Sequence, residues 1–475
     1  MTESIHLAQA QAQAPGLDSA DAEKNVRQAD FNNGTAEVES ELELERWNHP
    51  RSNIVKTFAT FWAFLVMGAN DAAYGPLIPY LESHYTLTYT TVSLVFLSPI
   101  AGYTLAALTN NTLHHTLGRR GIAFLSPLCH LLAYIVNCLH PPYPVLVVSF
   151  IFAGLGNGLA DSAWNAWVGG MQDSNQVLGF LHGWYGVGAT VAPVVATSLV
   201  VGGGRGWWVF YYVMVACAAL ELVFCLYAFR HSTASAFRES QQLFTERVMG
   251  DGDGDVNANT STNDQGSSGG EEEEEGGGGI RQALLTRPHA RVTWILAFFL
   301  LGYVGVEVAI GGWIVTFLMR VRNGADFASG MGATGFWLGI TFGRVVLGFV
   351  TPRIGEKVSI VIYIFFSITA SLIVWLVPNF HASIIAVSIQ GFFLGPLFPG
   401  AVVVATRLLP RELHVSAIGF AAAFGASGAA VLPFAVGAVA QARGVEVLQP
   451  FVVGLSVGIL GLWVGLPRMG KVQQQ

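Results

Sequence analysis

The stretch GFLHGWYGVGATVAP at residues 179–193 recurs as GFAAAFGASGAAVLP at residues 419–433. Both copies begin with Gly-Phe, place Gly-Ala nine residues later and end on proline, at an offset of 240 residues. Chance matches are common in glycine-rich helices, but register kept across several helices indicates an internal parallel repeat. Working outward, an offset of 237 relates seven further pairs, namely Gly68–Gly305, Asn70–Glu307, Gly75–Gly312, Gly102–Gly339, Gly118–Gly355, Gly154–Gly391 and Gly158–Gly395.

The composition places the repeated unit in a lipid bilayer. Of the 475 residues, 52 % are hydrophobic and 12 % are charged, whereas about 25 % are charged in a typical soluble domain. A membrane-spanning helix needs about 20 mainly apolar residues. Twelve stretches meet that need, near 56–80, 90–110, 120–139, 143–170, 175–201, 206–229, 291–318, 329–350, 357–377, 382–406, 414–440 and 448–467.

The sequence therefore predicts an all-α membrane protein of twelve transmembrane helices in two six-helix bundles related by pseudo-twofold symmetry. The bundles are predicted at 54–230 and 291–468. We expect residues 1–50 and 469–475 to be cytosolic tails and residues 231–290 to be a cytosolic linker. The first tail and the linker hold 21 of the 31 acidic residues, and such segments bury too little apolar surface to fold.

The placement of lysine and arginine predicts the orientation. With an even number of spans, the side that holds both tails also holds 19 of the 24 basic residues. Cytosolic loops of membrane proteins are enriched in Lys and Arg, so both termini are predicted to be cytosolic. We expect a monomer, in the plasma membrane rather than the vacuolar membrane.

Two loops carry a family resemblance. The sequence between spans two and three reads HTLGRR (115–120), and its counterpart in the second half reads PRIGEK (352–357). Both resemble the cytosolic loop signature of the major facilitator superfamily, although His115 and Pro352 stand where that family has Asp. The resemblance implies a twelve-helix transporter and a cytosolic gate formed by Gly118, Arg119, Arg120, Arg353 and Gly355.

A narrower resemblance lies in spans one and four. Span one contains the pair Asn70-Asp71, and span four contains Asp161 followed four residues later by Asn165. These resemble the fucose-type sugar and proton symporters, and the chain also resembles fungal facilitators of the bypass-of-stop-codon type. The symporter resemblance implies that Asp71 and Asp161 serve sugar binding and proton coupling. Span seven differs, since it has Glu307 where the symporter has Gln.

Acidic residues inside predicted spans point to function on physical grounds. A charged side chain at the bilayer centre costs about 2.5 to 3.5 kcal/mol, so Asp71, Asp161 and Glu307 are predicted to couple proton movement. Asn157, Asp161 and Asn165 repeat at i, i+4 and i+8, which forms one polar stripe on a helix. The alternative for each acid is an interhelical hydrogen bond that only packs the bundle.

Further polar and aromatic residues complete a predicted substrate site. Arg344 needs a counter-charge in span eight, which Glu307, Asp161 or a substrate anion could supply, and a purely structural pair with Glu307 is the rival interpretation. His130 and Glu221 are interpreted as structural. The predicted substrate-binding residues are Asn70, Asn157, Asn165, Trp313, Gln390 and Arg344.

Together these features predict a secondary active transporter, with proton-coupled uptake of a small hydroxylated solute, a monosaccharide, by alternating access. The alternatives are a proton-coupled exporter of amphipathic compounds and a non-transporting membrane nutrient sensor. No nucleophile, metal-ligand cluster or nucleotide cradle stands out. We therefore expect no enzyme activity, no cofactor or metal, and no nucleic-acid partner, only the substrate, protons and the lipid bilayer.

Overall fold

The computed structural model describes residues 45–172, 174–235, 238, 283–410 and 413–467. Most of the predicted tails and linker lie outside the described residues. The described chain forms long helices, which we number α1 to α12. They are α1 Ser52–Tyr85, α2 and α3 as the two parts (94–117 and 119–138) of Leu94–Cys138, α4 Tyr143–Gly169, α5 Ser174–Thr197, α6 Val209–Ala228, α7 His289–Arg320, α8 Asp326–Ile354, α9 Glu356–Leu376, α10 Phe380–Leu408, α11 His414–Arg443 and α12 Leu448–Val464.

By length and composition, ten of the described helices could cross a membrane, and one of the ten, Tyr89–Cys138, contains both α2 and α3. The remaining long helix, α1, spans 34 residues and includes Asn70, Asp71, Pro76 and Pro79 in its second half. Asn70 and Asp71 interrupt its otherwise mainly apolar sequence. The predicted all-α membrane architecture is confirmed.

The predicted repeat is visible in the packing of α2 on α4 and of α8 on α10. A Cβ atom added at Gly102 would overlap the backbone carbonyl of Ile151. A Cβ added at Gly339 would overlap the backbone carbonyl of Ser388, and both members of this second pair lie 237 positions after the first. Glycine at these positions lets the helix backbones touch. The two halves therefore share one packing scheme as well as a spacing pattern.

The loops that carry the family resemblance share an unusual backbone conformation. Gly118 interrupts the helical geometry between α2 and α3 with φ of 69°, and Gly355 ends α8 with φ of 96°. Residues with a side chain rarely adopt positive φ, whereas glycine does so at little cost. Glycine at these two positions lets the chain turn sharply between consecutive helices of each half.

The halves meet along α1 and α7, along α5 and α8, and where α2 approaches α11. A Cβ at Gly75 would overlap the carbonyl of Gly311, which places α1 directly against α7. Likewise, a Cβ at Gly437 of α11 would lie 2.6 Å from the Ser93 hydroxyl, at the start of α2. The contact between α1 and α7 lies near mid-helix. The contact between α11 and the start of α2 lies towards the end of the molecule where α1 ends.

Candidate functional site

Asp71 is the centre of a hydrogen-bonded cluster in the first half. Its Oδ1 accepts from the Asn70 amide at 3.1 Å and from the Asn157 amide at 3.2 Å, and its Oδ2 accepts from the Tyr185 hydroxyl at 2.9 Å. These partners come from α1, α4 and α5. The carboxyl group is thus held by three helices, as expected for an acid that the fold keeps away from lipid.

Close helix approach explains how Tyr185 reaches Asp71. A Cβ at Gly68 of α1 would overlap the carbonyl of Tyr185, and a Cβ at Gly188 of α5 would overlap the carbonyl of Leu65. Each helix therefore offers a glycine where the other backbone passes. The sequence repeat indicated both glycines, but nothing in the pattern singled out the tyrosine between them.

The cluster continues from Asn157 into the bundle interior. Asn157 Oδ1 lies 2.9 Å from His130 Nε2, and His130 Nδ1 lies 3.0 Å from Glu221 Oε2. Asn157, His130 and Glu221 are all buried. Gly156 makes room for the imidazole, because a Cβ there would lie 2.5 Å from its ring. His130 and Glu221, interpreted from sequence as structural groups, are therefore joined to Asp71.

The polar stripe of α4 divides into two parts. Asn157 points to α1 and α3, whereas Asp161 accepts hydrogen bonds from Asn165 Nδ2 at 2.7 Å within α4 itself. Both Asp161 and Asn165 are half-buried. The structure therefore brings Asn157 together with Asp71, and it places Asp161 and Asn165 in a separate pair further along the same helix.

An ion pair forms the polar cluster of the second half. Arg344 Nη2 of α8 lies 3.2 Å from Glu307 Oε1 of α7, and the Tyr303 hydroxyl donates to Glu307 Oε2. Arg344 also donates from Nε to the Gly395 carbonyl at 3.3 Å. The Glu307 side chain is 8 % exposed and that of Arg344 is 25 % exposed. Glu307 thus supplies the counter-charge that Arg344 needs.

The two clusters lie at the same depth on facing helices. Gly75 lies one turn after Asp71, Gly311 lies one turn after Glu307, and these two glycines are in contact. A second contact joins α5 to α8, where a Cβ at Gly186 would lie 2.6 Å from the Thr341 hydroxyl. The acids of both halves therefore approach one shared region between the bundles.

Two predicted substrate ligands have contrasting surroundings. Trp313 is fully buried, donates from Nε1 to the Pro433 carbonyl at 2.9 Å, and packs at 5.8 Å and 6.4 Å from the Tyr89 and Phe96 rings. Its indole N–H is already used in a hydrogen bond to α11 of the same half, and its ring packs against the first half. Gln390 of α10 is also fully buried, yet neither its Oε1 nor its Nε2 has a hydrogen-bond partner among the described residues.

The predicted gate residues lie at the same end of the molecule as the start of α1. A Cβ at Gly118 would overlap the backbone at Thr233, and the backbone N–H of Arg120 donates to the Ser232 carbonyl at 2.9 Å. Arg119 is half-buried and Arg353 is exposed. The loop after α2 is thus held to the chain that follows α6.

Two ion pairs at the ends of the bundles were not anticipated from sequence. The Arg407 guanidinium of α10 donates to both carboxylate oxygens of Glu356, at the start of α9, at 2.6 Å and 2.8 Å. At the opposite end, Arg320 of α7 lies 3.7 Å from Glu82 of α1, and this pair joins the two halves. Its members are 238 positions apart, so no local spacing could have linked them.

The sequence of residues 60–387, which runs from α1 into α10, matches the family model of the Major Facilitator Superfamily. Because the match covers more than half of the chain, the protein belongs to this superfamily. It is a multi-pass integral membrane protein and a transporter, whose substrates are small molecules.

The individual proteins that this chain resembles have low sequence identity to it. The chain is 28 % identical over 436 residues to Bypass of stop codon protein 6 of Saccharomyces cerevisiae, which covers 89 % of this chain and 84 % of the relative. Among solved structures, a D-xylose-proton symporter superposes with a TM-score of 0.64 at 12 % identity, covering 88 % of this chain and 98 % of the other. A mutant of the nucleoside transporter NupG gives 0.64 at 15 % identity, with 86 % and 99 % covered. At these identities the two structures show the fold alone.

Proposed function

We propose that the protein couples the movement of protons to the uptake of a small hydroxylated solute, of the monosaccharide class. The observation that supports this most is the pair of facing polar clusters around Asp71 and Glu307, one from each half, at the same depth in the bundle. A carboxylate inside the membrane is costly unless it is paired or protonated. Such groups commonly mark proton pathways in transporters.

Unused hydrogen-bonding atoms in both halves favour a hydroxylated solute. Among the described residues, Asn70 Oδ1 and both amide atoms of Gln390 have no partner. Amides both donate and accept, which matches a sugar hydroxyl because it does the same. The solved relatives include a D-xylose-proton symporter and a nucleoside transporter, and both named substrates carry a hydroxylated sugar ring.

Arg344 offers a second means of recognition. Its side chain is 25 % exposed while the guanidinium pairs with Glu307, so part of the side chain remains open to a ligand. A proton on Glu307 would weaken the ion pair and free Arg344 donors for a solute oxygen. In this scheme Glu307 binds a proton and Arg344 binds the solute in the same step.

The contacts between halves favour alternating access. One end is closed, because Arg320 pairs with Glu82 and the backbone N–H of Tyr89 donates to Gln441 at 2.9 Å. At the other end, a Cβ at Gly179 or Gly183 of α5 would meet nothing within 4 Å. We infer that the site opens towards the end that carries the basic loops, and the distribution of Lys and Arg supports a cytosolic location of that end.

Uptake by the purified protein in liposomes tests this proposal. The panel is a set of labelled monosaccharides that includes D-xylose, with a proton gradient directed inward. We expect accumulation of at least one sugar by the native protein. Asp71→Asn should abolish accumulation and retain exchange of labelled for unlabelled sugar, because exchange needs binding and access but no net proton movement.

The control is Thr369→Ala, which should transport normally. It changes an exposed residue of α9 whose hydroxyl, within the described part of the chain, donates only to the Phe365 carbonyl of its own helix. Accumulation that survives Asp71→Asn would remove this carboxyl group from the coupling. Flux in the opposite direction, with an amphipathic compound, would support an exporter instead. A protein that binds sugars but moves none would support a sensor.

A further inference from the structure

A continuous chain of hydrogen bonds links a carboxyl group deep in the first bundle to Asp71. Glu221 of α6 contacts His130 of α3, His130 contacts Asn157 of α4, and Asn157 contacts Asp71 of α1, at 3.0, 2.9 and 3.2 Å. Four helices contribute one residue each. The second oxygen of Glu221, Oε1, is buried and has no hydrogen-bond partner among the described residues, which disfavours a fixed, fully ionised carboxylate.

The hydrogen-bonding capacities of these groups determine where protons must lie. The amide of Asn157 can only donate from Nδ2 and only accept at Oδ1. When Nδ2 faces an ionised Asp71, Oδ1 faces His130, so His130 Nε2 must carry a hydrogen. The contact between His130 Nδ1 and Glu221 Oε2 then needs one further proton. It lies either on the imidazole, as an imidazolium beside a carboxylate, or on the carboxyl group, beside a neutral imidazole.

The reversed amide gives a second complete arrangement. If Asp71 is protonated, its O–H donates to Asn157 Oδ1 and Asn157 Nδ2 donates to His130 Nε2. His130 then carries its hydrogen on Nδ1 and donates it to an ionised Glu221. Both arrangements place two protons on the three titratable side chains. Reversal of the amide therefore accompanies the release of one proton by the His130–Glu221 pair and the binding of one proton by Asp71, and no proton passes through the amide itself.

We propose that the His130–Glu221 pair is a second proton site, linked to Asp71 by the orientation of the Asn157 amide. Its part in a transport cycle rests on the function proposed above, whereas the link between the two sites does not. His130 and Glu221 act through Asn157 and touch no solute, so they are positioning residues. Among the described residues, the other titratable groups around this chain are Tyr74 of α1, Tyr103 of α2, Tyr134 of α3, Asp161 of α4, Tyr185 of α5, and Tyr211, Cys217 and Cys225 of α6.

Infrared spectroscopy of the purified protein in liposomes, without any solute, tests the link directly. Spectra are recorded as the pH is lowered from about 8 to about 4, and the carboxylic acid band of Asp71 is the one that Asp71→Asn removes. In Glu221→Gln the pair can no longer store a proton, and the amides at 157 and 221 can both reverse freely. When Asp71 binds a proton in this variant, the Asn157 amide can turn its Oδ1 instead of its N–H towards the new O–H. The carboxylic acid band of Asp71 should therefore develop at a pH about one unit higher than in the native protein.

Ser126→Ala is the matched control. Ser126 is buried one turn before His130 and donates to the Gly156 carbonyl at 2.9 Å, so its loss removes a hydrogen bond between α3 and α4 without removing a titratable group. The Asp71 band should develop in this variant as in the native protein. If Glu221→Gln does not yield a monodisperse protein, Glu221→Ala replaces it with the same expectation, because it also removes the carboxyl group and leaves the His130 hydrogen free to lie on either ring nitrogen.

An Asp71 band that develops at the same pH in the native protein and in Glu221→Gln would overturn the link, as would the absence of any band that Asp71→Asn removes. Because no solute is present, these results do not depend on whether the protein transports sugars. If sugar uptake is established, its pH profile should shift by about one unit in Glu221→Gln. An unshifted profile would overturn the part that the pair plays in the transport cycle.

Discussion

The two halves of the molecule share a backbone scheme but neutralise their buried acids in different ways. Asn70 and Glu307 occupy equivalent positions of the repeat, 237 residues apart. In the first half, Asp71 is surrounded by amides and a tyrosine hydroxyl. In the second half, Glu307 faces the guanidinium of Arg344.

This difference shows what a repeated fold does and does not determine. Glycine positions where backbones touch recur between the halves, because the same helix packing requires them. Polar side chains at the interface between halves are free to differ. We expect the first half, which relies on neutral partners, to respond to proton binding alone. In the second half, which contains a fixed cation, we expect proton binding at Glu307 to be tied to solute binding at Arg344.

The largest expected effect comes from removing one member of the ion pair. Arg344→Gln leaves Glu307 buried without its counter-charge, which should lower the free energy of unfolding by about 3 kcal/mol. The double variant Glu307→Gln with Arg344→Gln should be more stable than either single variant, because no charge remains unpaired. Thermal unfolding in detergent measures both. A loss in the double variant equal to the sum of the two single losses would show that the charges do not stabilise each other.

Equivalent glycines at the contact between halves should differ in their tolerance of a side chain. Gly75→Ala would force a methyl group against the rigid carbonyl of Gly311 and should cost about 1 to 3 kcal/mol. Gly312→Ala meets the Phe96 ring at 2.5 Å, a side chain that can turn aside, and should cost less. Thermal unfolding of the two variants, side by side, checks the order. The reverse order would mean that α1 and α7 separate easily.

Asp71 should tolerate neutralisation better than Glu307. Asp71→Asn keeps the shape of the side chain, and its neighbours Asn70, Asn157 and Tyr185 can reorient their donors and acceptors. We expect a loss of about 1 kcal/mol or less, measured by thermal unfolding, against about 3 kcal/mol for Glu307→Gln, which strands a cation. A comparable loss in both variants would contradict the distinction drawn between the halves.

The smallest expected effect concerns the ion pair between Arg320 and Glu82 at the closed end. The Arg320 side chain is 54 % exposed and the contact is 3.7 Å long, so solvent weakens the attraction. Glu82→Gln should change the stability by about 0.5 kcal/mol or less. The effect of Glu82→Gln should instead appear in a Tyr89→Cys background, where the cysteine, at the contact between halves, should be labelled faster. Unchanged labelling would show that packing alone closes this end.

Much of the fold could be predicted from spacing. The recurrence of glycines at one offset indicated two equivalent bundles, and Gly118 and Gly355 indicated equivalent loops, because backbone contact and positive φ restrict the residue type strongly. The acids Asp71 and Glu307 stood out because charge inside an apolar helix is rare. These signals are local, so a single sequence displays them.

The connections between side chains could not be predicted in the same way. His130 and Glu221 are 91 positions apart, and each by itself was interpreted as a structural group in an outer helix. Trp313 was predicted to contact a substrate, but its environment depends on the first half of the chain, through Tyr89 and Phe96. Spacing within a helix shows which residues share a face, and only the assembled bundles show what that face meets.

The contact of Gly75 with Gly311 has a mechanical consequence. Where α1 crosses α7, the Gly75 backbone touches the Gly311 backbone, and neither residue has a side chain that would resist rolling or a small slide at this point. The neighbouring contacts, by contrast, involve bulky rings and ion pairs that must separate. In the transport cycle proposed above, this glycine contact would therefore be a point of rotation one helical turn from Asp71 and Glu307.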